Sequence, residues 1–321
     1  MSEGAFSLES LRLAARQLTG IARRTPLVET VALSAVVGAP VALKCEHLQP
    51  VGAFKIRGAY TAVTRLTPEV RRLGVVTSSS GNHGLALAWV AKHFGIRCVV
   101  VMPESAPRVK SQGVAELGGE VVFAGRVRSP EQGVRAAEIA RREGLTLVPP
   151  FDHPDIVAGQ ATCGLEIVEQ APSLATVLVP VGGGGLLAGV VAAVTALRPE
   201  VEVIGIEPEG APKLSAALRA GRPVELAETS SLADGLLTRS VGATPWTVIQ
   251  GRVRRAVQVS DEDLRNAVRH LWHHQGLRVE PSGAASAAAL LAGKVKPAGP
   301  VVAVLSGGNV DSELFAELIQ A

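Results

Sequence analysis

The sequence predicts an α/β fold in which parallel sheets are covered by helices on both faces. Short runs rich in valine and isoleucine alternate with longer helical patterns, rich in alanine and leucine, along almost the whole chain. The 321 residues are enough for two lobes of ordinary domain size or one large α/β unit. Hydrophobic residues make up 47% of the chain and aromatic ones only 3%, so alanine, valine and leucine must build the core.

The strand predictions rest on short apolar runs bounded by turn residues. They cover 75–77, 98–102, 120–123 and 145–148 in the first half, and 177–181, 201–206, 257–259 and 301–305 in the second. Helices are predicted between them, notably over 85–94, 130–143 and 156–170. A further helix is marked at both ends, because Ser260 can cap its start and Gly276 can end it.

Composition and charge argue against several classes of function. The 32 Lys+Arg and 29 Asp+Glu leave a net charge of +3, and no basic run or aromatic platform points to a nucleic-acid partner. Cys45, Cys98 and Cys163 are too scattered for a zinc cluster or a disulfide framework and suit a reducing compartment. The N-terminus lacks a signal peptide, and the apolar stretch 176–197 is interrupted by four glycines. We therefore expect a cytoplasmic protein without a membrane partner.

Lys55 is the first candidate for chemistry. It lies between Phe54 and small residues in the run 50–60, an unusual place for a solvated charge. Desolvation lowers the pKa of a lysine and makes its amine available as a nucleophile or base. The alternative is an ordinary surface ammonium whose stem lies along apolar surface.

Four consecutive glycines, Gly182, Gly183, Gly184 and Gly185, join a predicted strand to a helical segment. Such a loop, here called the glycine loop, lets backbone N–H groups converge at the positive end of a helix, which suits a phosphate group. A mobile turn is the alternative. The loop lacks the lysine and Ser/Thr of a P-loop, so nucleoside triphosphate chemistry is not expected.

Two further loops follow predicted strands, at the end of a parallel sheet where ligands bind. The loop 77–84 carries hydroxyl and amide groups that could face a carboxylate or a ring oxygen, or simply cap the next helix. The loop 305–309 presents Ser306, either to a heterocycle or as part of a plain turn.

Taken together, these loops resemble the fold-type II pyridoxal-phosphate enzymes, specifically the threonine/serine dehydratase and serine racemase group. The resemblance covers nearly the whole chain. Its landmarks, in the order of that family, are 54–59, 79–84, 180–186, 233–235, 280–281 and 306–309.

The resemblance implies a tryptophan synthase beta-like fold with two open, mostly parallel twisted sheets and helices on both faces. Residues 1–49 and 151–321 would form a large domain that binds pyridoxal 5'-phosphate, and 50–150 a small mobile domain. A C-terminal regulatory domain is not expected, because the chain stops soon after its last predicted strand and helix. A homodimer is the assembly that the family implies.

The resemblance also implies roles for single residues. Lys55 would carry the cofactor as a Schiff base. The remaining cofactor-binding residues would be Phe54, Asn82 at the ring hydroxyl, the glycine loop with Leu186 at the phosphate, Gly235, Glu280, and Ser306 at the pyridine nitrogen. The substrate would meet Ser79, Ser80, Asn82 and His83.

The implied activity is the conversion of a β-hydroxy amino acid, such as threonine or serine, to a 2-oxo acid and ammonia. Lys55 would remove the Cα proton before the β-hydroxyl leaves. If Ser80 instead delivers a proton to the opposite face, the product is the other enantiomer, so an amino-acid racemase is the nearest alternative. A non-catalytic protein that binds a phosphate ligand is the alternative from another class.

Two positions depart from the family. Ala53 stands where many relatives have serine, and the form Gly-Ala-Phe-Lys is similar to that of dehydratases assigned to hydroxyectoine breakdown. Glu207 and Ala211 match a loop that binds a divalent cation in the racemase group, but Lys213 stands where that loop has aspartate. We expect no metal there, with the Lys213 ammonium replacing the cation and pairing with Glu207. The alternative is a surface lysine on the following helix.

Overall fold

A computed structural model describes residues 4–127 and 129–320 of the chain. Residues 1–3, 128 and 321, which the expected domain ranges include, lie outside the described residues. The strands in chain order are β1 (Leu27–Glu29), β2 (Val41–Lys44), β3 (Val75–Ser78), β4 (Cys98–Met102), β5 (Glu120–Phe123), β6 (Thr146–Leu147), β7 (Thr176–Pro180), β8 (Glu202–Pro208), β9 (Ala256–Val259) and β10 (Val301–Val304).

These strands form two sheets that are almost entirely parallel. The larger sheet has six strands in the order β1-β2-β10-β7-β8-β9, and the smaller has four in the order β5-β4-β3-β6. Among the strands of the described residues, only β1 runs antiparallel to its neighbour, with Leu27 opposite Lys44. The predicted fold class of two mostly parallel sheets is confirmed.

Helices connect the parallel strands, as parallel pairing requires. They are α1 (Leu8–Gln17), α2 (Val31–Val37), α3 (Lys55–Thr64), α4 (Pro68–Leu73), α5 (Asn82–Phe94), α6 (Arg108–Glu116), α7 (Glu131–Glu143), α8 (Pro154–Gln170), α9 (Gly185–Leu197), α10 (Lys213–Ala220), α11 (Ala243–Ile249), α12 (Asp261–Gln275), α13 (Pro281–Leu291) and α14 (Ser312–Ile319). Among these described helices, none is long and apolar enough to cross a membrane.

Helix α12 shows how closely local sequence fixes an element. The Ser260 hydroxyl accepts a hydrogen bond from the backbone N–H of Asp263, and the Asp263 carboxylate accepts one from the N–H of Ser260. This reciprocal pair satisfies two otherwise unpaired donors at the helix start. At the other end Gly276 adopts φ = 64°, a left-handed conformation that glycine reaches without strain. Both predicted helix ends are confirmed.

Apolar side chains fill both faces of each sheet. On the six-stranded sheet, α8 and α9 pack on one face, and α12 and α13 on the other. On the four-stranded sheet, α5 packs on one face and the Ala136 and Ile139 side of α7 on the other. This arrangement leaves the carboxyl ends of the strands, and the loops that leave them, free to build a site.

Candidate active site

A cavity of about 1070 Å³ lies among the loops that leave the carboxyl ends of β3, β7 and β10. Its walls include Lys55, Ser80, the glycine loop and Ser306. Three of the loops that the sequence marks, from two different sheets, therefore meet in one place. A cavity of this size can hold a cofactor together with a small substrate.

Lys55 begins α3 and is partly buried at the wall of this cavity. Its Nζ donates a hydrogen bond to the carbonyl oxygen of Pro150 at 2.7 Å, and it lies 5.0 Å from the centre of the Phe54 ring. The preceding backbone is tied to the loop after β10, because the Phe54 N–H donates to the Ser306 carbonyl. Lys55 is thereby fixed beside Ser306.

The glycine loop has no room for side chains. A Cβ added at Gly183 would lie 2.2 Å from the Phe151 ring, and one at Gly182 would lie 2.9 Å from the Gly235 carbonyl oxygen. Gly184 has φ = 90°. Within 4–127 and 129–320, no backbone acceptor is seen for the N–H groups of residues 183–185. These donors, at the start of α9, form a cradle for an anion.

The loop after β3 is held in a tight turn by one of its own serines. The Ser79 hydroxyl accepts hydrogen bonds from the backbone N–H groups of Gly81 and Gly84, at 3.3 and 3.1 Å. Ser79 therefore shapes the loop, and the neighbouring Ser80 lies at the cavity wall as well.

Asn82 is fixed from both ends of its amide. Its Nδ2 donates to Glu280 Oε1 at 2.5 Å, and its Oδ1 accepts from the Asn309 side chain at 2.9 Å. Asn82 begins α5, which follows a strand of the four-stranded sheet. Glu280 directly precedes α13, and Asn309 lies in the loop after β10 of the six-stranded sheet. These hydrogen bonds therefore connect the parts of the chain built on the two sheets.

His83 is a neutral, buried side chain. Burial lowers the pKa of His83 to about 3, and the nearby Lys55 ammonium contributes to the same effect. Its Nε2 lies 3.1 Å from the Val148 carbonyl oxygen, so Nε2 carries the proton. Its Nδ1 has no hydrogen-bond partner in the described part of the chain.

Ser306 and Gly235 share a neighbour, Ser282, at the start of α13. The Ser282 hydroxyl accepts from the Gly235 N–H at 2.8 Å, and its carbonyl lies 3.5 Å from the Ser306 hydroxyl. Ser306 is 5% exposed and its hydroxyl lies at the cavity wall. Gly235, Ser282 and Ser306 thus form one continuous wall of the cavity.

The structure adds Asp234 to the cavity wall and brings Lys110 into contact with it. The Lys110 ammonium, which is 1% exposed, lies 2.6 Å from the Asp234 carboxylate and 3.0 Å from that of Glu280. The sequence gives no sign of this contact, because α6 carries Lys110 in a segment without any recognisable pattern.

Phe151 is a second residue that the sequence did not indicate. Its ring packs against Gly183, and Asp152 fixes the loop by accepting from the N–H groups of Ala243 and Thr244. Its position, directly after two prolines in the loop that leaves β6, is the signal that could have found it, since ligands gather at such loops.

Arg57 anchors the helix that carries Lys55. Its guanidinium, 1% exposed, makes paired hydrogen bonds to Glu46 at 2.7 and 2.8 Å and to Glu166 at 2.7 and 2.9 Å. Lys44 also lies 2.5 Å from Glu166. Because Glu46 follows β2 and Glu166 lies on α8, this cluster fixes α3 to the six-stranded sheet.

The loop after β8 is built around buried charge. Lys213 is fully buried, and its ammonium donates to the carbonyl oxygens of Ala211 and Leu236 at 3.0 and 2.7 Å. The Glu207 carboxylate accepts from the backbone N–H groups of Leu214 and Ser215. The alternative of a surface lysine at position 213 is wrong, because the backbone carbonyls draw the ammonium inward. Its pairing with Glu207 stays a prediction.

Comparison with known proteins agrees with this geometry. A family model described as "Pyridoxal-phosphate dependent enzyme" matches residues 18–307. The chain is 38% identical to an L-threonine ammonia-lyase of Thermotoga maritima over 98% of this chain and 78% of the relative.

Two solved structures are also similar. A maize serine racemase superposes with a TM-score of 0.93 at 33% identity, covering 97% of this chain and 96% of that one. A threonine deaminase from T.th. superposes with a TM-score of 0.90 at 38% identity, covering 95% and 99%. The chain therefore belongs to the family of pyridoxal-phosphate dependent enzymes, of fold-type II.

Proposed function

We propose that this chain is an ammonia-lyase that converts a β-hydroxy amino acid, threonine, serine or a related compound, to a 2-oxo acid and ammonia. The observation that carries the proposal is the single cavity in which Lys55, Ser80 and the glycine loop meet. The likeness to an L-threonine ammonia-lyase along almost the whole chain supports it.

The residues around the cavity fit pyridoxal 5'-phosphate. The cradle that excludes side chains at Gly182 and Gly183 would hold the phosphate, and Lys55 would take the aldehyde. Asn82 would bind the ring hydroxyl and Ser306 the pyridine nitrogen. When bound, the cofactor withdraws electrons from the Cα of an amino acid attached to it.

Lys55 then acts as the base. Its Nζ removes the proton from Cα, and the electron pair of the broken C–H bond forms the Cα–Cβ double bond as the β-hydroxyl leaves as water. The proton that Nζ gains from Cα balances the proton that the leaving hydroxyl takes up. The Pro150 carbonyl, which accepts from Nζ, orients the amine during this transfer. The enamine that is released hydrolyses in water to the 2-oxo acid and ammonia.

This function is tested by measuring 2-oxo acid release across a panel of β-hydroxy amino acids, with chiral analysis of the recovered substrate. We expect release from at least one of them. A protein that stays colourless with added pyridoxal phosphate and releases no 2-oxo acid would instead fit the non-catalytic phosphate-binding alternative.

Racemisation is the second candidate activity, and Ser80 at the cavity wall is the observation that favours it. We predict that Ser80→Ala lowers racemisation by roughly 10²–10⁴-fold, because a positioned proton donor contributes about that much. Dehydration should change by less than about tenfold, since Lys55 supplies its base. The control is Ser240→Ala, which removes another hydroxyl of the same cavity. Racemisation that persists in Ser80→Ala would show that Ser80 does not move the second proton.

We further propose that Lys213 takes the place of a divalent cation and makes the enzyme independent of metal. Its buried ammonium donates to two carbonyl oxygens, and carbonyl oxygens are also ligands that Mg²⁺ and Ca²⁺ bind. Full activity after exhaustive chelation is expected. Stoichiometric Mg²⁺ or Ca²⁺ bound at Glu207 would contradict the proposal.

Replacing this ammonium has a predicted cost. Lys213→Met leaves the carbonyl oxygens of Ala211 and Leu236 without their donor. Each unpaired carbonyl should lower the free energy of unfolding by roughly 1–3 kcal/mol. Lys213→Asp should regain part of that loss when Mg²⁺ or Ca²⁺ is added, whereas Lys213→Met should not. Urea unfolding measures both, and the exposed Lys296→Met is the control. Equal stability of Lys213→Met and Lys296→Met would contradict the prediction.

We also propose that the enzyme is a cytoplasmic homodimer whose small unit moves against the large one. The unpaired, buried cysteines support a reducing compartment. The small unit of this proposal is the expected 50–150, within which Arg57 joins α3 to the six-stranded sheet. Sedimentation velocity measures the assembly and would contradict a dimer if only monomer were found.

A further inference from the structure

One lysine joins the two sheets at the cavity without lining it. Lys110 lies in the first turn of α6, which leaves the four-stranded sheet, and its ammonium reaches Asp234 and Glu280 on the other side. The preceding residue, Val109, makes a second contact with the other side of the cavity, because its N–H donates to Asp311 Oδ1 at 3.0 Å.

The contact of Lys110 with Asp234 and Glu280 joins opposite charges. Burial alone would lower the pKa of Lys110, but Glu280 and Asp234 outweigh burial and raise it, so the ammonium stays charged. Glu280 is 1% exposed, and its pKa is raised because burial outweighs the opposing effect of the Lys110 ammonium. The negative charge of Asp234, which is 32% exposed, also raises the pKa of Glu280. Among the residues that the structure describes, Lys110 and Asp234 are the charged groups that act on Glu280.

The geometry around Glu280 suits an ionised carboxylate. Oε1 accepts from Asn82 Nδ2 at 2.5 Å, and Oε2 lies 3.0 Å from the Lys110 ammonium. One oxygen therefore accepts a hydrogen bond and the other lies at ion-pair distance from a cation, an arrangement that favours the carboxylate over the protonated acid. The Asn82 amide is in turn oriented by this acceptor on one side and by Asn309 on the other.

We propose that Lys110 is a positioning residue: it keeps Glu280 ionised and, through Glu280, holds Asn82 in the orientation that binds the cofactor ring. The proposal rests on the proposed function in assigning Asn82 to the ring. It assigns Lys110 no contact with substrate or cofactor. Lys110 lies on α6, which belongs to the part of the chain built on the four-stranded sheet. The ionisation of Glu280 therefore also depends on how close the two sheets lie to each other.

The test compares the holoenzymes of wild type, Lys110→Met, Lys110→Met/Glu280→Gln and the control Lys92→Met, an exposed lysine of α5. Infrared spectra report the C=O stretch of a protonated carboxylic acid, which a carboxylate lacks. At neutral pH we expect this signal in Lys110→Met alone. Its absence from the double variant would assign it to Glu280.

The second measurement is the Kd for pyridoxal phosphate, from absorbance titration of the cofactor-free proteins. We expect Lys110→Met to raise Kd by roughly tenfold or more, because a protonated Glu280 accepts only weakly from Asn82. The double variant should recover part of the loss, since an amide oxygen is a stronger acceptor than the oxygen of a neutral carboxylic acid. A purely structural contact would predict no recovery.

A protonated Glu280 in the wild type, or a Lys110→Met spectrum and Kd equal to those of Lys92→Met, would overturn the proposal. If Lys110→Met does not fold, Asp234→Asn replaces it: loss of that negative charge should move the titration of Glu280 to lower pH than in the wild type. An unmoved titration would overturn the proposal too. Failure of the proposed function is seen separately, as absence of 2-oxo acid release by the wild type.

Discussion

Lys55→Ala is expected to abolish 2-oxo acid release, with kcat falling by roughly 10⁴-fold or more, because the residue serves as both attachment point and base. The visible absorbance that pyridoxal phosphate gives when joined to a lysine should also be lost. The fold should survive, since Lys55 is partly buried at a helix start and alanine is the best helix former. Absorbance, turnover and the thermal midpoint are measured together.

The matched control is Lys92→Ala, which removes an exposed lysine from α5. It should keep the absorbance and the turnover of the wild type. Residual turnover of Lys55→Ala within tenfold of the wild type would contradict the role given to Lys55. Loss of folding in Lys55→Ala would instead show that the hydrogen bond to the Pro150 carbonyl stabilises α3 more than expected.

Arg57→Leu is expected to lower the free energy of unfolding by about 3–5 kcal/mol, because it leaves the fully buried Glu46 carboxylate without its cation. Removal of one partner from a buried pair is costly even where the intact pair contributes little net stability. Urea unfolding measures the change. The exposed pair of Arg24 and Glu169 provides the control, since Arg24→Leu should cost less than about 1 kcal/mol.

The pH dependence gives a second test of the same pair. Burial would raise the pKa of Glu46, but the Arg57 guanidinium outweighs burial and holds this pKa below its usual value. The wild type therefore keeps the contribution of Glu46 at neutral pH and loses it only as the pH falls below about 4.3. In Arg57→Leu the strongest opposing group is gone, and Lys44 and the Thr25 hydroxyl still oppose burial. The carboxyl is therefore protonated more easily than in the wild type, and the deficit in the free energy of unfolding should narrow as the pH is lowered. A deficit that is independent of pH, or equal losses in Arg57→Leu and Arg24→Leu, would contradict this account.

Much of the fold follows from local sequence. The strand predictions for 98–102 and 120–123 coincide with β4 and β5. β4 is buried along its whole length, and a buried parallel strand reads as a continuous apolar run. Strands β1 and β2 were missed. β1 has three residues, and β2 ends in Lys44, whose charge conceals a fully buried position next to Glu166.

Some residues of the site could also be predicted from local sequence and others could not. Lys55 and the glycine loop could be predicted because the residues next to them in the chain indicate their function. Lys110 could not, because its role depends on Glu280, which is distant in sequence and meets it only after folding. Phe151 could be suspected from its place in the loop that leaves β6, but its contact with Gly183 could not be predicted. A buried lysine and a surface lysine look the same until the partner is known.

The contact between Phe151 and Gly183 has a consequence for how this enzyme can change. The ring occupies the space that any side chain at position 183 would need. The two positions therefore share one volume, and a side chain at position 183 is compatible only with a smaller residue at position 151. A directed-evolution library that varies each position alone would recover little, whereas one that varies both together opens the route to a reshaped anion cradle.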